Sequence, residues 1–283
     1  MTQLALDSHA KINLWLRVLG RREDGFHEVS TRMCRLALAD RVTVERLEGE
    51  PRLELTCSDP LVPVDESNLA ARALRSFQQR TGEQGAWRIH LEKIIPAGAG
   101  LGGGSSNAAT VLRALNELCG HPLDQAALVE LAGHLGADVA FFVLDALAAD
   151  GTGKGEKVVA VDFPWRLPLV LVKPPFPIST PWAYQRWVGS KLTKGAMNVP
   201  QVCPWGVMEN DLERPVFETH LFLAALKNWL LEQSEVVAAL MSGSGSTVFA
   251  ITRHGSGATE LAPKVQQWCG ETSWVRATVA GSF

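Results

Sequence analysis

At 283 residues the chain exceeds the ~150 residues typical of one domain and leaves room for about two. Apolar residues make up 46% and charged residues 20%, the balance of an ordinary globular protein with enough material for a core. A net charge of −3 with no dense Lys/Arg run speaks against a nucleic-acid or anionic-membrane footprint, so a bound phosphate must be held locally by backbone amides and one or two placed cations.

Cys34, Cys57, Cys119, Cys203 and Cys269 are odd in number, scattered and never in a CxxC pair, which argues against a disulfide framework and a structural zinc site. The first residues carry Asp7 and His9 without an apolar h-region, and no apolar run approaches the ~18 residues of a membrane span. These features together predict a reduced, cytoplasmic, soluble protein.

From Ala10 to Val18 apolar and polar residues alternate, which predicts a strand with one apolar face and with Lys11 and Asn13 neighbours on the other, roughly 7 Å apart. Gly20 to His27 reads as a turn-rich loop. Val42–Leu47 and Arg52–Thr56 read as a strand pair joined through Glu48-Gly49-Glu50-Pro51. Asn68 then caps a helix that runs to about Arg80 and ends at Gly82. Trp87, Ile89 and Leu91 alternate as a strand that leads straight into a glycine-rich loop. A helix follows from Ser105 or Ser106, one of them its N-cap, with Ala108, Val111, Leu112, Leu115 and Leu118 at helical spacing up to Gly120-His121-Pro122. Another helix runs from Asp124 to about Gly136, followed by Ala137 to Val143.

After Val161 the texture changes, with Pro164, Pro168, Pro174, Pro175, Pro177 and Pro181 around a short strand, Leu169–Val172. A domain boundary is expected near residue 160, giving domains 1–160 and 161–283. The second half offers a helix around His220–Gln233, a shorter one at Glu235–Leu240, a strand Thr247–Thr252, a helix Gly257–Trp268 and a strand Trp274–Val279. That mix suggests α+β architecture, with helices on one side of an antiparallel sheet.

The loop and its continuation, PAGAGLGGGSSNAA from Pro96 to Ala109, is the most informative segment. Five glycines fall in the seven positions 98 to 104. Backbone without Cβ atoms can wrap an anion closely, and the helix start behind it adds unpaired N–H groups and the positive end of its dipole. This predicts a phosphate cradle for a nucleotide. Gly98, Gly100 and Gly103 satisfy the dinucleotide spacing G-x-G-x-x-G, but some ninety residues precede the loop, and Asp124, the acid at the expected distance, starts a helix instead of ending a strand. A Walker A loop would need a lysine before its Ser/Thr, and here Gly104 is followed by Ser105-Ser106. The protein-kinase H-R-D and D-F-G segments are absent. A purely steric turn would not require five glycines, each costly in conformational entropy.

With its leading proline, P-x-G-x-G-L-G-G-G-S-S-N-A-A resembles the second motif of the GHMP kinases, the family of galactokinase, homoserine kinase and mevalonate kinase. Ser8-x-Ala10-Lys11-Ile12-Asn13-Leu14 resembles the first motif, and Met241-Ser242-Gly243-Ser244-Gly245-Ser246 the third. Asp24-Gly25-Phe26-His27 and Leu135-Gly136-Ala137-Asp138-Val139 are most similar to the branch that uses ATP to phosphorylate the 2-hydroxyl of a cytidine diphosphate-linked methylerythritol, on the non-mevalonate route to isoprenoid precursors. Two positions depart from the pattern: His9 and Ala140 stand where the family usually has proline.

The resemblance implies two domains, an N-terminal ribosomal-protein-S5-domain-2-like one and a C-terminal ferredoxin-like two-layer one, with the active site in the cleft between them. It implies ATP, with Mg²⁺ bridging its phosphates, held by Pro96, Ala97, Gly98, Ala99, Gly100, Leu101, Gly102, Gly103, Gly104, Ser105, Ser106 and Asn107. Ser105 or Ser106 could also offer a hydroxyl to the metal. Asn68 and Lys93 fall near the nucleoside, although a helix cap and a solvated strand end are equally good readings of them. Asp138 is the candidate base that accepts the proton of the substrate hydroxyl. Lys11 should pair with Asp138 and stabilise negative charge during transfer. Phe26 and Tyr184 correspond to rings that stack on cytosine, and His27 to the residue that bonds its edge. Asn13, Gly243 and Ser244 complete the acceptor side. His9, His90, His121, His134, His220 and His254 show no metal-ligand spacing. Another small-molecule kinase of the family, homoserine or mevalonate kinase-like, is the nearest rival reading, and a catalytically silent ligand sensor on the same fold is another.

Overall fold

In the computed structural model, which describes residues 2–144, 146–190 and 199–283, the alternation at 10–18 belongs to a longer strand, β1 (Gln3–Arg21). It returns through a turn closed by the Arg22 N–H on the Phe26 carbonyl (2.8 Å) into β2 (His27–Leu47), antiparallel along its length. There follow β3 (Leu53–Cys57), α1 (Leu69–Thr81), β4 (Ala86–Glu92), α2 (Gly103–Leu118), α3 (Gln125–Leu135), α4 (Ala137–Val143), β5 (Ala148–Thr152) and β6 (Lys157–Val161). The second half contributes β7 (Arg166–Lys173), α5 (Thr180–Trp187), β8 (Gln201–Cys203), β9 (Gly206–Asn210), α6 (Glu213–Thr219), α7 (Leu221–Leu231), β10 (Val236–Met241), β11 (Val248–Thr252), α8 (Gly255–Cys269) and β12 (Trp274–Gly281).

The helix signals act as their chemistry requires. Asn68 Oδ1 accepts the Ala70 N–H at 2.9 Å, Gly82 closes α1 in the left-handed region, and Asp124 Oδ1 accepts the Ala127 N–H at 2.8 Å. Three expectations fail. The strands expected at 42–47 and 52–56 are not partners: β4 lies between them, antiparallel to β2 and parallel to β3, because α1 carries the chain over the sheet. Residues 235–240, expected as helix, fall almost wholly in β10; a largely buried apolar run has no periodicity to separate the two forms, and only its length and its Val-Val pair favour a strand. Helix α2 starts at Gly103 with Gly102 as its N-cap, so neither Ser105 nor Ser106 caps it.

In the second half the strand order β10-β11-β7-β12, all antiparallel, with α7 and α8 packed against it, is the βαββαβ split sandwich expected of a ferredoxin-like domain. The boundary expected near residue 160 falls at the end of β6, but the chain then crosses back. β9 pairs in parallel with β1 through Trp15–Glu209 and Leu16–Asn210, and β12 meets β2 at Ala280–Leu36. Three apolar clusters follow from this topology. One lies under α1–α4 and includes Trp87 and Phe77, and one lies under α7 and α8. The third joins the halves, packing Ile12, Leu14 and Leu36 with Leu169, Leu240 and Phe249. Among the described residues no helix is long and apolar enough to cross a membrane.

The second core holds one ion pair. Lys227 Nζ donates to Glu213 Oε2 at 2.5 Å and the Met241 N–H donates to Oε1 at 2.8 Å, with both side chains essentially inaccessible. Burial pushes the Glu213 carboxyl up, against the opposing pull of the Lys227 ammonium. Lys227→Met would leave that carboxylate buried without its cation and should cost about 3–5 kcal/mol in urea unfolding. A raised carboxyl is stabilising below its unfolded titration and loses that contribution as pH rises through the folded one; without the Lys227 ammonium the Glu213 carboxyl is pushed up further, so the deficit against wild type should widen as pH rises above the ordinary carboxylate range.

Candidate active site

Two irregularities in β1 bracket the first polar pair: the register to β2 shifts between His9 and Lys11 and again between Asn13 and Trp15. The Lys11 N–H leaves the ladder and bonds the Leu101 carbonyl of the glycine loop at 3.0 Å. The face carrying Lys11 and Asn13 is not solvated as alternation suggests; they are 3% and 2% exposed. A buried ammonium must be matched, and Lys11 Nζ has Asn13 Oδ1 at 2.7 Å and Asp138 Oδ2 at 3.3 Å. Asn13 Nδ2 in turn donates to Thr31 Oγ1 (2.8 Å), which donates to the Trp15 carbonyl (2.7 Å). Asp138 stands in the first turn of α4, where the N-terminal end of the helix favours negative charge, and its side chain is 34% exposed to the cleft. It is a residue of that turn, not its cap, which is Gly136. Of the departures from the family pattern, Ala140 is a buried residue of α4, and His9 Nδ1 donates to the Leu36 carbonyl (2.9 Å).

The glycine loop alternates left-handed residues, with φ of 62°, 75° and 71° at Gly98, Gly100 and Gly102. Gly100 shows why: a Cβ there would lie 2.3 Å from the Ser242 carbonyl oxygen and 2.9 Å from that of Gly245. The two glycine-rich loops therefore touch backbone to backbone. Ser242 Oγ donates to the Gly100 carbonyl (2.9 Å) and the Thr247 N–H to the Ala99 carbonyl (3.2 Å). The first intrahelical bond of α2 is Ser106 N–H to Gly102 C=O, so the amides of Gly103, Gly104 and Ser105 precede the ladder and are available to an anion.

A cleft of about 1010 Å³ brings together Lys11, Asn13, Phe26, His27, Gly100, Gly102, Ser105, Asp138, Tyr184, Gly243 and Ser244. A smaller hollow of about 330 Å³ gathers Asn68, Lys93, Pro96, Ala97, Gly98, Ala99, Gly103, Gly104 and Asn107, and shares Gly100, Gly102 and Ser105 with the cleft. Leu101 and Ser106 line neither: Leu101 is core, and Ser106 is buried with its Oγ accepting from Ser8 Oγ at 2.8 Å. Asn68 caps α1 and also donates to the Pro63 carbonyl (2.6 Å). Lys93 is not a solvated strand end; its side chain is 7% exposed and its ammonium is paired with Asp40 and with Asn107 Oδ1 (2.8 Å).

At the far end of the cleft Phe26 and Tyr184 do not form a ready sandwich. The Tyr184 ring stacks on His27 (centroids 5.3 Å, 29°), Trp187 meets His27 edge-on at 6.0 Å, and Phe26, 57% exposed, has the Lys154 ammonium 4.6 Å from its ring centre. His27 Nε2 is buried without a hydrogen-bond partner among the described residues. Burial, and secondarily Arg21, push the His27 imidazole below its ordinary range, so it is neutral at pH 7 and offers one donor and one acceptor.

Sequence reading missed Asp40, Thr31, Lys154, Thr180 (Oγ1 2.7 Å from Ser244 Oγ) and Asn210. Asn210 Nδ2 holds the Met241 and Gly243 carbonyls at 2.7 and 2.8 Å and so fixes the third motif. Asp40 alone left a signal, since it interrupts the inward alternation Leu36, Leu38, Val42, Val44 with a carboxylate.

Residues 68–146 match the family model of the GHMP kinases N terminal domain, and residues 203–271 that of the GHMP kinases C terminal domain. The 4-diphosphocytidyl-2-C-methyl-D-erythritol kinase of Methylacidiphilum infernorum is 40% identical over 271 residues, 94% of this chain and 93% of the relative. A crystal structure of 4-(cytidine 5'-diphospho)-2C-methyl-D-erythritol kinase matches with a TM-score of 0.81 at 33% identity, over 99% of this chain and 100% of that one. The homoserine kinase of Cytophaga hutchinsonii matches at 0.69 with 17% identity, over 99% and 95%, a likeness of fold alone.

Since the Cβ of Gly100→Ala would meet two backbone oxygens, the loops must part. The variant should lose about 1–3 kcal/mol in thermal unfolding and at least tenfold in nucleotide affinity measured by calorimetry.

Proposed function

The chain belongs to the 4-diphosphocytidyl-2-C-methyl-D-erythritol kinases of the GHMP family, and we propose that it transfers the terminal phosphoryl group of ATP to the 2-hydroxyl of 4-diphosphocytidyl-2-C-methyl-D-erythritol, in the non-mevalonate supply of isoprenoid precursors. The observation that carries this reading is the Lys11–Asp138 pair, which stands where the two cavities join at Gly100, Gly102 and Ser105. A nucleoside in the smaller hollow, near Asn68 and Lys93, sends its phosphates along the glycine loop to the free amides of α2. The acceptor fills the larger cleft from the other side.

Phosphoryl transfer asks the protein mainly to position reactants and to neutralise charge. Asp138, exposed to the cleft on one side and held by Lys11 on the other, accepts the proton of the acceptor hydroxyl. That oxygen forms its bond to the terminal phosphorus as the bond to the ADP oxygen breaks. Lys11 lies close enough to both sides to stabilise the negative charge in transit. Asn13, tied to Lys11 and Thr31, and the backbone of Gly243 and Ser244 hold the erythritol part. The chemistry Mg²⁺ would supply, if bound with ATP, is neutralisation of part of the phosphate charge. Of the two candidate hydroxyls for it, Ser105 fits, since Ser106 is buried and bonded to Ser8.

The cytidine end belongs to Phe26, His27 and Tyr184. A base needs flat faces and a partner for its edge, and the unmatched His27 Nε2 among aromatic rings supports that use.

Purified protein given ATP, Mg²⁺ and the cytidyl substrate should release ADP and yield a phosphate monoester; ADP release no faster than without acceptor rules the reading out. Lys11→Ala and Asp138→Ala should each lose at least a hundredfold in turnover while remaining folded and able to bind ATP, about 3 kcal/mol of transition-state stabilisation. Tyr184→Ala should raise KM for the cytidyl substrate and leave KM for ATP unchanged in steady-state assays.

A further inference from the structure

We infer that Asp40 is a positioning residue for the nucleotide, a single buried carboxylate that clips both ends of the phosphate loop together and so sets where the free amides of α2 point. This rests on the kinase reading above and adds to it a residue that never reaches the ligand.

The side chain of Asp40 is wholly inaccessible. Its Oδ1 accepts the N–H groups of Ile94 (2.7 Å) and Ile95 (2.8 Å), where β4 gives way to the loop. Its Oδ2 accepts Asn107 Nδ2 (3.0 Å), from the first turns of α2, and pairs with the Lys93 ammonium. An ionised carboxylate has about four acceptor sites, and all are taken. Between these attachments the chain makes the whole glycine loop and presents the unladdered amides of Gly103, Gly104 and Ser105. Asn107 extends the clip, since its Nδ2 also donates to Ser8 Oγ (2.9 Å), which donates to Ser106 Oγ (2.8 Å). The start of α2 is thereby tied to β1 three residues before Lys11. A buried ion pair adds little stability over a well-packed apolar substitute, so stability does not account for a carboxylate on the inward face of β2. Holding a glycine-rich loop in one geometry does, because the loop has few side chains of its own with which to hold itself.

The test is calorimetric binding of Mg²⁺–AMP-PNP and, separately, of the cytidyl acceptor to wild type and to Asp40→Asn. The variant keeps the shape and one acceptor oxygen for Ile94 and Ile95, but turns an NH₂ toward two donors, Lys93 and Asn107. We expect AMP-PNP affinity to fall at least tenfold with acceptor affinity within twofold of wild type. Undiminished AMP-PNP binding by a folded variant, or an equal loss for both ligands, overturns the role of Asp40. Wild type that does not bind AMP-PNP at all overturns the kinase reading and this inference with it. Should Asp40→Asn fail to fold by circular dichroism, Asn107→Ala decides: it removes the amide that ties α2 to Asp40, Lys93 and Ser8 while leaving Asp40 on Ile94 and Ile95, and the same nucleotide-selective loss is expected, with unchanged affinity as the contrary result.

Discussion

An ammonium withdrawn from water has to be matched from several directions, and around Lys11 that requirement organises the molecule. At 3% exposure it takes one acceptor from its own strand and one from α4, while its backbone N–H takes a carbonyl of the glycine loop. Three segments far apart in sequence are thus brought to one point. The same arrangement leaves Asp138 with one side held and one side facing the cleft, as a group that receives a proton must be. The irregularities in β1 on either side of Lys11 are the local cost of aiming that side chain inward.

Around this point the glycine-rich loops work as a backbone joint. The first and third polar motifs and the phosphate loop meet largely through peptide groups: Lys11 N–H to the Leu101 carbonyl and Thr247 N–H to the Ala99 carbonyl, with the Ser242 hydroxyl adding a bond to the Gly100 carbonyl. Side-chain amides and carboxylates then act from behind, Asn210 on the third motif and Asp40 on the phosphate loop. Such contacts tolerate almost no added volume, as the approach of Gly100 to the Ser242 carbonyl makes plain. Rigidity in a chain segment this poor in Cβ atoms comes from what surrounds it.

Much of this was legible in the residues alone, and the exceptions are instructive. Helix ends at Asn68, Gly82 and Asp124 were readable because capping is local chemistry. The α+β class was readable from the mix of helix and strand signals, the kinase motifs from residues at fixed spacings, and the ferredoxin-like second half came with the resemblance those motifs carry. What escaped depends on distant partners. The sequence turn at Glu48 to Pro51 could not reveal that β4 would insert between its flanking strands, and the run at 236–241 has no face to betray its form. The apparent N-caps Ser105 and Ser106 lost that position to Gly102, since the loop's left-handed turn lets the helix begin earlier. A solvated strand end, one of two equal readings of Lys93, gave way once the fold supplied Asp40 from another strand. The stacking of Tyr184 on His27 joins residues over 150 positions apart, beyond the reach of any local pattern.

The parallel pairing of β9 with β1 has a bearing on biogenesis. During synthesis the amino-terminal hairpin emerges long before residues 206–210, so β1 at Trp15 and Leu16 keeps its outer peptide groups unpaired until most of the chain has left the ribosome. Closure of so wide a contact is entropically late and slow. A nascent or truncated chain ending near residue 160 would therefore display an open β edge, prone to sticking to its own kind, and this is the species a chaperone would be called on to shield.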